Sequence, residues 1–370
     1  MEDNQLPIIP PELKKRILPE RDMSVLDFLQ FQLPAAAQAF DGSIDPSEKI
    51  LSDLAPSIIS ITDIQAIPTP PLTMLNMLIG TKDLSWSRLI LCLHAPGHHA
   101  EQLPTWVISY WIQVFHLRPL KKTWVDAEES LQKQGSHRQH TEDTKSLIKK
   151  VYDELACISW ASDISGFPAA ITTDHLATYL TKNWLSDEHE NQMLHLLRRE
   201  VLSKRREDRI SISDTSFMKK LIDVHQMVDR TEHYATARNY AWIQEKGQEL
   251  ATSILDMFIT ITNVRENHWV ALVIDFKSSR ILYGDSMGGT IDEDIKNALT
   301  WWIHHHTSRH FTSSYLPITR QRDGHSCGIL AWIALATFLF PKTYSLMDAG
   351  AVADERLRMF FGLQNAIVRR

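Results

Sequence analysis

Fourteen consecutive residues from Cys327 to Phe340, CGILAWIALATFLF, carry no charge and hold one polar side chain, Thr337. Pro341 closes the run. A bilayer-spanning helix needs about 20 apolar residues, so this one is too short for a membrane and reads as a buried core helix. A helix apolar on every face must be covered by other elements, which commits this part of the chain to a packed, layered domain. The stretch ahead of it, TRQRDGHS, is turn chemistry. Cys327 therefore stands at the doorstep of the helix instead of inside it. There the unpaired backbone N–H groups and the helix dipole favour a thiolate, the nucleophile of cysteine chemistry. Gly328 beside it would allow close approach of a substrate backbone.

Strands lie upstream. SILDMFITITN has β-branched residues in partial alternation, and HWVALVIDFK is apolar on both faces, as a central strand would be. KSSR turns the chain into RILYGDS, a further strand that ends at MGG. TIDEDIKNALTWWIHHH predicts a helix with Thr290 as its cap and acidic residues in its first turn. YLPITRQ predicts a last short strand. Strands and helices mix in this half, so residues 165–370 are expected to form an α+β domain, a central sheet flanked by helices. At its start, TTDHLATYLTKNWLSDEHENQMLHLLRREV offers two short helices broken around NWLSD, with Ser186 or Asp187 capping the second. A charged, mostly helical stretch should follow to about residue 250.

Residues 1–140 are expected to be a helical region, proline-rich and partly disordered at its start. LPTWVISYWIQVF carries the i, i+3/i+4 apolar pattern of a helix, Pro119 should open a second segment, and the polar GSHRQHTEDTK should break the pattern. A connecting helix from about Thr144 to Trp160 then fills residues 141–164.

The net charge of −6 argues against a chain-wide nucleic-acid surface, and the short basic runs LRPLKK and LSKRRE read as solvated faces. The three cysteines are too few, and odd in number, for a disulfide framework, so free thiols in a reducing compartment, nucleus or cytoplasm, are expected. Cys92 and Cys157 sit in apolar contexts and read as buried structural thiols. The N-terminus MEDNQLPIIPPELKKR lacks the apolar segment of a secretory signal. Successive histidines of WWIHHHTSRH point about 100° apart on a helix, so they do not converge on one metal ion. No phosphate loop, paired zinc cysteines or calcium loop is present, and no cofactor is expected.

A nucleophilic cysteine needs a base. His268 opens the strand HWVALVIDFK and Asp285 ends RILYGDS, 17 residues later. That spacing fits two paired strands of about eight residues with a tight turn, which places the start of one beside the end of the next. Asp285 can then orient the His268 imidazole. Gln321, six residues before Cys327, could join the Cys327 backbone N–H in an oxyanion hole.

These residues, in NHWVALVIDF, YGDSMGG and QRDGHSCGI, together with NWLSDEHENQMLHLL upstream, resemble the ubiquitin-like-protein-specific cysteine proteases, the SUMO proteases. The likeness covers residues 165–365, with His-Trp opening a strand, Asp-Ser ending the next, and Gln ahead of Cys-Gly. Ser326 and His325 depart from the acidic and aromatic residues the family usually carries before the cysteine. The resemblance implies the papain-like, adenain-like fold, with His268, Asp285 and Cys327 as a triad and Gln321 as oxyanion donor. It implies that Trp184 and Trp269 clamp a Gly-Gly tail and that Asp187 helps to hold the modifier. The implied partner is a ubiquitin-like modifier, SUMO first, with its conjugates, and the implied reaction is peptidase or isopeptidase cleavage after Gly-Gly. The alternatives are an inactive modifier-binding module, a deubiquitinase, or an acyltransferase on the same fold.

Overall fold

The computed structural model describes residues 7–37, 51–52, 60–80, 92–95, 98–136, 141–168, 171–204 and 209–366. The chain divides into two compact units, residues 1–129 with 152–162, and residues 130–151 with 163–370. Among the described residues no helix is long and apolar enough to cross a membrane.

The first unit is mainly helical. It holds α1 (Pro11–Ile17), α2 (Val25–Gln30), α3 (Ile61–Ala66) and α4 (Leu72–Gly80), with a small antiparallel sheet of β1 (Leu51–Ser52), β2 (Cys92–Ala95) and β3 (His98–Pro104) that the sequence did not announce. The helix α5 (Val107–Gly135) leads out of this unit, and Pro119 lies inside it instead of opening a new segment. Proline removes one helical hydrogen bond. The helix is held on both sides of that gap: Arg118 Nη2 donates to the Pro34 carbonyl at 2.6 Å, and Lys121 Nζ donates to the Leu29 carbonyl at 3.1 Å. Trp111 and Tyr110 are fully buried in the core of the unit, where the periodic pattern places them. Cys157 is exposed, against the expectation of a buried thiol, because α6 (Glu142–Leu155) ends two residues before it and the chain turns outward. The first six residues, residues 137–140 of the polar break and residues 205–207 of the second basic run lie outside the described residues, as does the Cys92 side chain.

The second unit is built on a five-stranded mixed sheet in the order β10-β9-β8-β7-β6. Its strands are β6 (Ile210–Ile212), β7 (Met257–Val264), β8 (His268–Asp275), β9 (Arg280–Gly284) and β10 (Thr312–Tyr315). The middle three are antiparallel, and both outer strands run parallel to their neighbours. Every residue of β8 is buried. Val270, Leu272 and Ile274 join a core with Phe217 and Leu221 of α8 (Ser216–His225), Tyr234 of α9 (Arg230–Thr236), Ile243 of α10 (Ala241–Ala251) and Trp302 of α11 (Glu293–Thr307). The alternate residues point to the other face, where α12 (Cys327–Leu339) packs on β8. The all-apolar run is thus a helix sunk between the sheet on one side and, on others, α7 (Asp187–Ser203) and α13 (Val352–Ala366).

Several local expectations need correction. Ile210–Ile212 is a short edge strand within the stretch read as helical. The first of the two expected helices, ahead of α7, is a 3-10 helix, Thr173–Leu180. Ser186 caps α7, its N–H and hydroxyl both directed at His189 Nδ1. Asp292, not Thr290, caps α11, accepting from the Asp294 N–H at 3.0 Å. The last strand is Thr312–Tyr315; YLPITRQ leaves the sheet at Pro317, which has no N–H to offer a ladder. His306 enters the core and meets the Tyr234 hydroxyl at 2.8 Å, a packing role for one member of the histidine run.

Candidate active site

The hairpin β8–β9 sets the first half of the site. Ala271 pairs with Gly284, so the start of β8 and the residues just past β9 share one edge of the sheet. There His268 Nε2 donates to Asp285 Oδ1 at 2.7 Å. The same Asp285 oxygen accepts from the Met287 N–H at 2.7 Å, and Oδ2 accepts from the Gly289 N–H at 3.0 Å. Asp285 therefore organises its own turn and orients the imidazole at once. Gly289 is required for this: a Cβ there would fall 2.5 Å from Asp285 Oδ2.

The turn before α12 sets the second half. Asp323 Oδ1 accepts from the N–H groups of His325 and Ser326, both at 2.9 Å, and Oδ2 accepts from the Ser326 hydroxyl at 2.6 Å. This carboxylate folds the turn that delivers Cys327 as the first residue of the helix, 1 % exposed. Ser326, which breaks the family pattern, is wholly buried and takes its carboxylate contact from Asp323.

Burial pushes the Cys327 thiol up, but hydrogen bonds from His268, the Trp269 backbone and the Trp184 side chain, with the charge on His268, bring it below its ordinary value. Burial pulls His268 down, and the hydrogen bonds and charges of Asp285 and Cys327 more than reverse this, raising it to about 9. Burial raises Asp285 while His268 and the two turn N–H groups hold it below the usual carboxylate range. The pair is therefore poised as thiolate and imidazolium, and the two groups titrate together.

Gln321 is fixed from both ends. Its Oε1 accepts from the Ser286 hydroxyl at 2.7 Å and its Nε2 donates to the Asp323 carbonyl at 2.8 Å. Its backbone N–H also donates to the Ser286 carbonyl at 3.0 Å. Trp184 and Trp269 lie together, stacked with ring centres 5.5 Å apart and planes 21° from parallel. Trp269 is fully buried, its indole N–H donating to the Leu185 carbonyl at 2.7 Å, whereas Trp184 is half-buried. Asp187 is exposed in the first turn of α7.

Residues 183–361 match the model of the Ulp1 protease family, C-terminal catalytic domain. This part of the chain belongs to that family. It is a cysteine protease domain, α+β in fold. Solved structures to which the chain is similar include the C-terminal Ulp1 protease domain in complex with Smt3, the yeast ortholog of SUMO, at 17% identity and a TM-score of 0.43 over 65% of this chain and 95% of that one. The Ulp1-like SUMO protease catalytic domain of Chaetomium thermophilum is 14% identical, with a TM-score of 0.40 over 51% and 75% of the two chains. The Xanthomonas campestris effector XopD bound to ubiquitin is 18% identical, with a TM-score of 0.31 over 48% and 90%. Curated proteins give no match to the chain.

The protease domain contains residues that the sequence reading passed over. Ser286, 1 % exposed, sets which way the Gln321 amide faces. Glu190 is fully buried on α7, and neither carboxyl oxygen has a hydrogen-bond partner. Burial, with the negative charge of Cys327, drives it well above its ordinary value against the pull of Arg356, and so favours the protonated form. Its Oε1 lies 1.8 Å from where a Cβ on Gly328 would sit. The space beside Gly328 is therefore filled by Glu190, which corrects the expectation that this glycine opens a path for substrate. Arg356 on α13 donates to the Thr178 and Asn183 carbonyls, both at 2.8 Å, and burial lowers it to about 10. Ser286 was visible as half of the Asp-Ser pair; nothing local in the sequence marks Glu190.

Proposed function

We propose that the protease domain hydrolyses the bond after the C-terminal Gly-Gly of a SUMO-like modifier, maturing it or releasing it from conjugates. The observation that carries this reading is the Asp285–His268–Cys327 chain, in which a buried thiol is drawn down and its partner imidazole is drawn up. The choice of modifier rests on the order and spacing of the motifs that resemble the SUMO proteases.

In this reading the Cys327 thiolate attacks the carbonyl carbon of the terminal glycine. Charge develops on the carbonyl oxygen, where the Cys327 backbone N–H at the start of α12 and the second Nε2 hydrogen of Gln321 would stabilise it. His268, carrying the proton, gives it to the leaving lysine amine. Water then attacks the thioester, His268 takes its proton, and the modifier leaves with a free carboxylate. Trp184 and Trp269 suit a tail without side chains. Indole faces in contact leave no gap for a backbone, so the half-buried Trp184 must turn aside to admit the tail, while the buried and hydrogen-bonded Trp269 stays as the fixed wall. Asp187 is exposed where it can meet the body of the modifier.

Turnover of SUMO and ubiquitin carrying a C-terminal aminomethylcoumarin tests this. SUMO release by the full chain and none by Cys327→Ala is expected. Release from ubiquitin alone would keep the mechanism and overturn the modifier, and release by Cys327→Ala would overturn the nucleophile. Gln321→Ala should cost about 10²–10³ in kcat, the usual loss of one oxyanion donor; a loss below about threefold would remove it from that role.

A further inference from the structure

A cavity of about 720 Å³ opens beside the His268–Asp285 pair, which forms part of its wall. Neither Cys327, Gln321 nor the tryptophan pair lines it. Its floor is apolar, from Tyr283 and Ile295, both buried. The cap and first residues of α11, Asp292, Glu293 and Asp294, also line it. Asn263 adds a carbonyl oxygen that is buried and lacks a hydrogen-bond partner. The lining cations are His268, matched by Asp285, and Arg265; Lys296, outside the lining, pairs with Glu293 at 3.3 Å, and the wall keeps a net negative charge.

The chemistry of the proposed reaction gives this cavity a side. The leaving amine must receive its proton from His268, so the leaving group lies over the imidazole, away from the tryptophans that would take the Gly-Gly tail. His268 is the residue that the leaving amine and this cavity share. Resting on the reading of the site as an isopeptidase, we infer that this cavity recognises the target side of the bond, a lysine-bearing segment with further Lys or Arg beside the conjugated lysine.

A basic group already sits against this wall. Arg265, with an 82% exposed side chain, places Nε 3.6 Å from Asp292 Oδ2. It stands at the tip of the β7–β8 hairpin, where Arg265 and Glu266 take φ of 54° and 60°, a left-handed backbone that residues with a Cβ adopt at a cost. Arg265 occupies the position of the incoming cation and competes with it.

The test uses the full chain and three substrates: SUMO–aminomethylcoumarin, and SUMO joined through an isopeptide bond to a lysine flanked either by Lys and Arg or by Glu and Ser. The wild-type chain should favour the basic over the acidic isopeptide about five- to tenfold in kcat/KM at low salt, the size that a few screened ion pairs supply, and less at high salt. Asp292→Asn, Glu293→Gln and Asp294→Asn combined should bring that ratio close to one; Asn is as good a helix cap as Asp, and a ratio taken within one variant is indifferent to partial loss of folded protein. Arg265→Ala should raise the ratio. If the coumarin substrate is not turned over, the isopeptidase reading falls and this inference with it. If it is turned over while the wild-type isopeptide ratio is near one, or the combined variant keeps the wild-type ratio, the inference alone is overturned.

Discussion

Cys327 and His268 are each acted on by burial in the direction that opposes an ion pair, and hydrogen bonds reverse the outcome. The pair should hold its charges from the lowered thiol value up to the raised imidazole value of about 9. Alkylation of Cys327 by iodoacetamide should accordingly stay fast well below about pH 8.5, where an ordinary thiol loses its thiolate. Asp285→Asn removes the charge that holds His268 up, so the imidazolium should be lost at lower pH, the thiolate should appear only at higher pH, and kcat should fall by about 10²–10⁴; an unchanged alkylation profile would count against the ion pair. Trp184→Phe removes a hydrogen bond to the sulfur and should shift the same profile upward in pH. Glu190 gives a stability prediction. Its carboxyl is neutral when folded but ionised at neutral pH when unfolded, so folding takes up a proton and stability falls as pH rises above the unfolded value of about 4.3. Glu190→Gln escapes that loss, and its Tm advantage over wild type should widen from about pH 5 to about pH 8; a constant difference would mean that Glu190 is charged in the fold. His268, Asp285 and Cys327 were legible because each marks the end of an element whose period can be read. Ser286 was visible only as half of the Asp-Ser pair and Asp323 only as part of a turn; Glu190 was not legible, because Gly328 and Arg356 lie far from it in sequence and only tertiary packing brings them together.

The elements around the site are set by burial more than by propensity. The run after Cys327 reads as a core helix from composition alone, and β8 as a central strand because it has no polar face; both are so in the fold. Errors came where the signal was short or competed. Ile210–Ile212 has only three residues to show an alternation, and Pro119 predicts a break that the helix α5 survives because Arg118 and Lys121 are anchored beside it. Capping residues were placed two positions early at α11, where Thr290 and Asp292 both qualify by type and geometry selects Asp292. The contact of α7 with α12 makes its own prediction. Gly328→Ala places a methyl 1.8 Å from Glu190 Oε1, so the buried carboxyl must shift, and the change should destabilise the domain by about 1–3 kcal/mol in denaturant unfolding. Combining it with Glu190→Ala should recover part of that loss, since the clash is then gone; a strictly additive pair would show that the two residues do not meet.

At the scale of the chain, the α+β protease domain was readable in the sequence because strands of period two, an all-apolar helix and the spacing of His268, Asp285 and Cys327 agree with one another. The helical region before it was legible only in part. Its long helix has a clear apolar face, but the small sheet of β1, β2 and β3 is built from short segments far apart in sequence, with no alternation long enough to announce them. Sequence, fold and the proposed activity meet in one atom, the Cys327 sulfur, which we propose as the nucleophile. Intact mass of the full-length protein and of Cys327→Ala after reaction with SUMO carrying a C-terminal vinyl sulfone measures this directly. A single SUMO adduct on the wild-type chain, mapped to Cys327 and missing from Cys327→Ala, is the expected result; an adduct on the exposed Cys157, or none from a folded protein, would contradict it.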